Sequence, residues 1–156
     1  RRGAGAMPEL RRRLCWRVSK GAVGMVLSSA ATRYLLVIYR LSGEGMPVRS
    51  VDISRALGVS PASVVHMMGV LVADGLISKR HYGRVQLTGT GIWVANQLHT
   101  KCMLLESFLT ERLGLSEEVA RRDAVACLCS LSEEGIEGIV RRVLPDSAAL
   151  LRAAGE

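Results

Sequence analysis

The stretch RSVDISRALGVSPASVVHMMGVLVADGLISKRHYGRVQLTGT, residues 49–90, decides the fold. Val51, Ile53, Ala56 and Leu57 set out a short helix over 51–57. Gly58 ends it, since glycine accepts the left-handed conformation that closes a helix. Ser60 is an N-cap residue, and Pro61 follows at the first helical position, where a missing N–H costs nothing. A second helix then runs to about Ala73, with Gly75 as its stop. Two β-prone runs, 76–81 and 84–87, flank Tyr82-Gly83 and predict a hairpin. Helix, tight turn, helix and hairpin is the order of a winged helix-turn-helix, whose second helix fits the major groove of DNA.

Working outward, residues 28–41 predict a helix capped by Ser28 or Ser29, with Tyr34, Leu35, Leu36, Ile38, Tyr39 and Leu41 as apolar surface. Met46-Pro47-Val48 is extended and supplies a small third strand. Thr88 caps a long helix reaching about Arg112. Its stripe is Ile92, Val94, Ala95, Leu98, Cys102, Leu105, Phe108, Leu109 and Leu113, which needs a partner surface such as a second subunit. Gly114 closes it. Ser116 then opens a helix to about Leu131, with Glu117 and Glu118 complementing the helix dipole. Ser132 opens another, ending near Leu144-Pro145, and the tail adds at most a helical turn.

The 156 residues carry a formal charge of +7, unevenly spread. Residues 1–24 hold seven Lys/Arg against one Glu, and residues 33–99 hold seven against three acids. Residues 100–156 are acidic, with seven against ten. The helix-turn-helix half is therefore the basic half, as a polyanion-binding module requires. Residues 1–24 read as a basic arm touching phosphates or as a solvated extension, with a helical turn or two over 9–18. No run of about eighteen apolar residues predicts a membrane span, no secretory pattern precedes the body, and a cytoplasmic setting with reduced thiols is expected.

The candidate DNA contacts follow from these placements. Val64, Met68, Leu71 and Val72 form the buried face of the second helix, which leaves Ser60, Pro61, Ala62, Ser63 and His66 toward base edges. The wing adds Lys79, Arg80, His81 and Arg84 around Tyr82, and Arg49 precedes the first helix of the pair. The sequence holds no nucleophile–base pair, no glycine-rich phosphate loop and no carboxylate pair at useful spacing, so an enzyme is not expected.

The segments YLLVIYRL (34–41), VDISRALGVSPASVVHMMGVLVADGLI (51–77), VQLTGTG (85–91), LLESFLTERLGL (104–115), SEEVARRD (116–123) and LSEEGIEGIV (131–140) carry a resemblance. Residues 34–144 resemble the diphtheria-toxin-repressor family of metal-dependent transcriptional regulators, in the layout of its two-domain manganese-transport regulators. The resemblance implies a mainly α fold, a winged helix-turn-helix domain followed by an all-helical dimerisation domain. The expected organisation is a basic extension (1–24), the DNA-binding domain (25–91) and a dimerisation and effector domain (92–156). It further implies a homodimer reading a palindromic operator in double-stranded DNA, with repression as its output. The SH3-like third domain of the iron-responsive branch has no counterpart in these residues.

The family's cofactor would be a divalent transition metal, manganese or iron. The resemblance puts its ligand positions at Arg33, Leu36, Cys102, Val125, Leu128 and Cys129. Leucine and valine cannot ligate, arginine repels a cation, and manganese prefers oxygen and imidazole. Both family histidine positions are cysteines, Cys102 and Cys129, and Glu106 sits one turn after Cys102 at an ancillary metal position. These three residues define a candidate metal or thiol effector site. The choices are a soft ion such as Cu(I) or Zn(II), a disulfide formed on oxidation, or two small buried hydrophobes. A winged module that joins proteins rather than DNA is the alternative to a DNA reader.

Overall fold

Ser28 opens the first helix, its Oγ accepting a hydrogen bond from the Ala31 amide at 3.1 Å. In the computed structural model, which describes residues 16–17, 26–43 and 45–143, this helix is α1, Ser29–Ser42. The strands β1 (Trp16–Arg17) and β2 (Val26–Leu27) precede it as a two-residue antiparallel pair. The helical turns expected over 9–18 are therefore replaced at Trp16 and Arg17 by extended backbone. A short helix has few bonds to repay its costly nucleus, whereas Val26-Leu27 offers a ready partner strand. The remainder of residues 1–24, and the expected helix end and tail beyond residue 143, lie outside the described residues.

The chain then follows β3 (Val48–Arg49), α2 (Ser50–Leu57), α3 (Pro61–Ala73), β4 (Ile77–Arg80), β5 (Arg84–Leu87), α4 (Gly89–Leu113), α5 (Glu117–Ser130) and α6 (Glu133–Val143). It divides into two compact units between His99 and Thr100. In the first unit a three-stranded antiparallel sheet has the order β3-β5-β4, so Met46-Pro47-Val48 does lead into the third strand.

The α2–α3 pair meets at 112°, the angle of a helix-turn-helix. Gly58 is left-handed (φ 65°) at the end of α2, and the Ser54 hydroxyl donates to the Val59 carbonyl at 2.6 Å, tightening the turn. Ser60 caps α3 by accepting from the Ser63 amide at 3.2 Å. Gly75 (φ 70°) closes α3. Its amide donates to Val72 O at 3.0 Å and the Leu76 amide to Leu71 O at 2.9 Å. That is the paired bonding of a Schellman closure, with Leu71 and Leu76 fully buried beside it.

The closure explains a difference in the wing. The first hairpin strand was expected over 76–81, but β4 is Ile77–Arg80. Leu76 is committed to the helix end, and Arg80 pairs opposite Arg84, leaving His81, Tyr82 and Gly83 as a three-residue tip. Tyr82 (φ 59°) and Gly83 (φ 65°) are both left-handed there.

The core of this unit combines Leu35, Leu36 and Ile38 of α1, Ile53 of α2, Val64, Met68 and Leu71 of α3, and Ile77, Val85 and Leu87 of the sheet. Leu41 and Val51, counted as apolar surface in the sequence, are exposed. On α4 the buried stripe is Val94, Ala95, Leu98, Cys102, Leu105 and Leu109, while Ile92 and Leu113 at its ends are exposed. In the second unit Ser116 caps α5, accepting from the Val119 amide at 3.5 Å. Ala120, Ala124 and Leu128 of α5 and Ile136 of α6 are buried. Among the described residues no single helix is long and apolar enough to cross a membrane.

Candidate nucleic-acid interface

Three local devices set the exposed surface of the first unit. The Ser60-Pro61 start fixes where α3 begins, so the 3.6-residue repeat that buries Val64, Met68 and Leu71 turns Ala62, Ser63 and His66 to solvent. The sheet register fixes β4, so Lys79 and Arg80 are exposed beside Arg84. The amide of Ser50 donates to Gly83 O at 3.0 Å, tying the wing tip to the start of α2, where Arg49 stands.

All ten residues selected from the sequence as DNA contacts are exposed: Arg49, Ser60, Pro61, Ala62, Ser63, His66, Lys79, Arg80, His81 and Arg84. They fall on the N-terminal end and outer side of α3, the wing, and the strand leading into α2. Two of the arginines are engaged within the chain. Arg49 donates through Nε and Nη2 to the two carboxylate oxygens of Asp52, at 2.8 and 3.2 Å. That bonding, and the charge of Arg49, hold the Asp52 carboxyl below its ordinary value despite partial desolvation. Arg80 donates through Nε to Gln86 Oε1 at 2.8 Å, and Gln86 Nε2 donates to Gly45 O at 3.0 Å. Among the described residues neither Lys79 nor Arg84 is held in this way, and both are exposed on the two wing strands.

Two surface residues are missing from that set. Val65 is 63% exposed and Tyr82 98% exposed. Val65 was legible from period alone, being one residue past buried Val64, but an apolar side chain is no signal of nucleic-acid contact. Tyr82 carried only the hairpin signal.

The wing's far end is spliced to α4. The Thr88 hydroxyl donates to Gly75 O at 2.6 Å and accepts from the Gly91 amide at 3.0 Å. The Thr88 amide donates to Leu76 O at 3.0 Å. Gly91 lies against that same carbonyl: a Cβ there would be driven into the Leu76 oxygen and lie 2.8 Å from its carbon.

The candidate effector residues are in the second unit. Cys102 and Cys129 are buried thiols. Glu106 is an ion-pair partner of Arg121 Nε at 3.5 Å. Cys127, half-buried, is pushed up from its ordinary value by burial and by the charge of Asp123. Lys101 is pulled down by burial, an effect opposed by Glu133 and Glu137.

A winged helix-turn-helix with a basic wing and a separate helical unit defines the class of winged-helix transcriptional regulators. The family model "Iron dependent repressor, N-terminal DNA binding domain" matches residues 26–85. The transcriptional regulator MntR of Escherichia coli O6:H1 is 36% identical over 104 residues, 67% of this chain and 66% of that protein. An uncharacterized HTH-type transcriptional regulator of Methanocaldococcus jannaschii is 30% identical over 112 residues, 71% of this chain and 90% of the relative. The solved structure of T. acidophilum IdeR superposes with a TM-score of 0.64 at 26% identity, over 73% of this chain and 52% of that one. The manganese regulator SloR gives 0.62 at 25% identity, over 74% and 53%. The chain thus spans just under two thirds of the Escherichia coli relative and about half of these solved chains. It belongs to the diphtheria-toxin-repressor and manganese-transport-regulator family of transcriptional regulators.

At the six positions that the resemblance assigns to the family's metal ligands, donor atoms are few. Arg33 is an exposed cation, Leu36 and Leu128 are buried aliphatics, Val125 is half-buried, and only Cys102 and Cys129 carry donor atoms. Two thiols among aliphatic side chains match neither the oxygen nor the imidazole preference of manganese. Among the described residues no group of three or more His, Cys, Asp or Glu is placed to hold a metal ion.

Proposed function

We propose that this chain is a DNA-binding transcriptional repressor, acting as a homodimer on a palindromic operator and holding DNA without manganese or iron. The observation that carries the DNA reading is the joint exposure of all ten candidate contacts on one winged helix-turn-helix. Phosphate contact falls to Lys79, Arg80, His81, Arg84 and Arg49, and base contact to Ser60, Pro61, Ala62, Ser63 and His66. Short hydroxyls and a methyl read bases loosely, so the electrostatic share of the affinity is large. The dimer reading rests on the family to which the chain belongs, and a two-fold dimer is what a palindromic site would match.

The metal-free reading rests on the donor chemistry described above. In its place, Cys102 and Cys129 with Glu106 supply a soft-metal or thiol site, or else pack as small hydrophobes. A duplex selected by the wild-type chain from a randomised library tests both readings by fluorescence anisotropy. Binding that weakens steeply with salt, and is equal in MnCl2 and in chelator, is the expected result. Salt-independent binding refutes the DNA reading, and a tenfold or larger manganese response refutes the metal-free one. For the soft-metal reading, Cys102→Ser with Cys129→Ser removes bound Cu(I) or Zn(II); unchanged stoichiometry in the double variant refutes it.

A protein-binding role for the same surface has one observation in its favour. α3 carries no charged residue, and Val65 is exposed on it. Failure of the library selection to enrich any duplex would decide for that role.

A further inference from the structure

Tyr82 is the most exposed of the large hydrophobic side chains among the described residues, at 98%. It is also the only non-glycine among them with a left-handed backbone, at φ 59°. Each property opposes folding. A bulky L-residue resists this conformation because its Cβ crowds the following carbonyl, and a fully hydrated ring forgoes the gain of burial. Neither cost is returned inside the chain: the one ring contact described for Tyr82 is a loose, tilted approach to its neighbour His81, with centroids 6.4 Å apart.

The tip that carries the ring is held in place. Gly83, immediately after it, accepts the Ser50 amide through its carbonyl at 3.0 Å. A Cβ on Gly83 would meet the Ser50 hydroxyl at 3.5 Å. From the other strand, Arg80 is fixed to Gln86, and Gln86 to the Gly45 carbonyl. A pinned, left-handed tip therefore projects one aromatic side chain away from the body. Residues 79–84 contain Lys79, Arg80, His81 and Arg84 and no acid.

We propose that Tyr82 enters the minor groove of duplex DNA and makes the wing a sequence-sensing element. The inference rests on the DNA-binding reading above. The groove is narrow and lined by sugar faces, which suit the flat apolar ring, while flanking cations are drawn to its negative potential. The tyrosine hydroxyl donates to the acceptors A N3 and T O2 on the groove floor, and the guanine N2 amino group obstructs that approach. The wing thus favours A·T over G·C pairs at the flank of the site bound by α3. An ordinary charged wing, touching phosphates alone, has no such preference.

The test uses the full chain and the library-selected duplex, with the flanking pairs set as A·T, as G·C, or as inosine·C. Inosine·C keeps the major-groove face of G·C but lacks the minor-groove amino group. The wild-type chain is expected to bind the G·C flank roughly tenfold more weakly than A·T and to recover on inosine·C. Tyr82→Asn suits the left-handed backbone, so its thermal midpoint is expected at or above that of the wild type. It should bind A·T-flanked duplex roughly tenfold more weakly and lose the flank preference. Tyr82→Phe should keep part of the affinity and lose most of the preference. Wild-type binding that ignores the flank, or a Tyr82→Asn chain that keeps the preference, overturns the minor-groove assignment and leaves the DNA reading standing. A wild-type chain that selects no duplex overturns both.

Discussion

Gly91 is where the packing makes its most exposed claim. Replacing it by alanine adds one methyl group in the first turn of α4. By helix propensity alone the change should stabilise, by about 0.5–1 kcal/mol. The packing says the reverse. The new Cβ would be forced into the Leu76 carbonyl oxygen, and its carbon would stand 2.8 Å away. Both atoms are backbone, so no rotamer change relieves them. The start of α4 has to retreat from the wing, at about 1–3 kcal/mol for overpacking of this kind. Retreat also stretches the Gly91 N–Thr88 Oγ1 cap of 3.0 Å, about 1 kcal/mol when lost. It further pulls the Thr88 amide from Leu76 O. These losses share one displacement and do not add fully. A net loss of about 3 kcal/mol follows, which lowers the thermal midpoint by roughly 6–12 °C for a chain of this size.

Gly89→Ala is the matched control. It lies in the same helical turn, has no atom within 4 Å of its added Cβ, and is expected to be neutral or stabilising. Circular dichroism melts, with urea titrations to separate a change in midpoint from a change in slope, measure both. If Gly91→Ala melts with Gly89→Ala, the close approach at Leu76 is not a constraint and the splice between wing and helix is wrongly drawn.

Ser60→Ala removes the cap that accepts the Ser63 amide and should cost about 1 kcal/mol, whereas Ser60→Asp keeps the cap and repels phosphate. The aspartate variant should therefore melt like the wild type and bind duplex poorly; equal DNA affinity for the two proteins would count against the placement of α3. Lys79→Ala and Arg84→Ala should each lower the slope of log affinity against log salt by about one, without changing the melt. Asp52, held below its ordinary 3.8 by Arg49, binds fewer protons folded than unfolded in acid. Its contribution is thus complete above that value and fades as pH drops through the lower folded one. The wild-type midpoint should fall more steeply than that of Asp52→Asn over this window, and parallel curves would refute the linkage.

Much of the first unit was legible because its signals are backbone ones. Gly58, Ser60-Pro61 and Gly75 act through conformations that few other residues supply, so they mark α2 and α3 whatever packs around them. The wing boundary was misjudged because Leu76 answers to two elements at once, and its buried place in the α3 closure outweighed its β propensity. The β1–β2 pair has two residues a strand and no alternation to read. The sequence gives no sign of why a glycine stands at position 91, and the approach of the Leu76 carbonyl supplies the reason. The ten candidate contacts chosen by residue type and placement all lie on exposed positions. That Arg49 and Arg80 are bonded within the chain depends on Asp52 and Gln86 lying within reach. Asp52 lies three positions after Arg49, a spacing legible in the sequence; the link from Arg80 to Gln86 requires the hairpin register.

The Leu76–Thr88–Gly91 joint also sets how the first unit opens. One peptide carbonyl serves the end of the wing, and the threonine below it caps the next helix while holding the carbonyl of Gly75, the residue whose amide closes α3. No member of this set can let go without releasing the others. The amides of Leu76, Thr88 and Gly91 should therefore exchange with solvent deuterium as a single cooperative group, with one opening free energy, despite lying at the ends of three different elements.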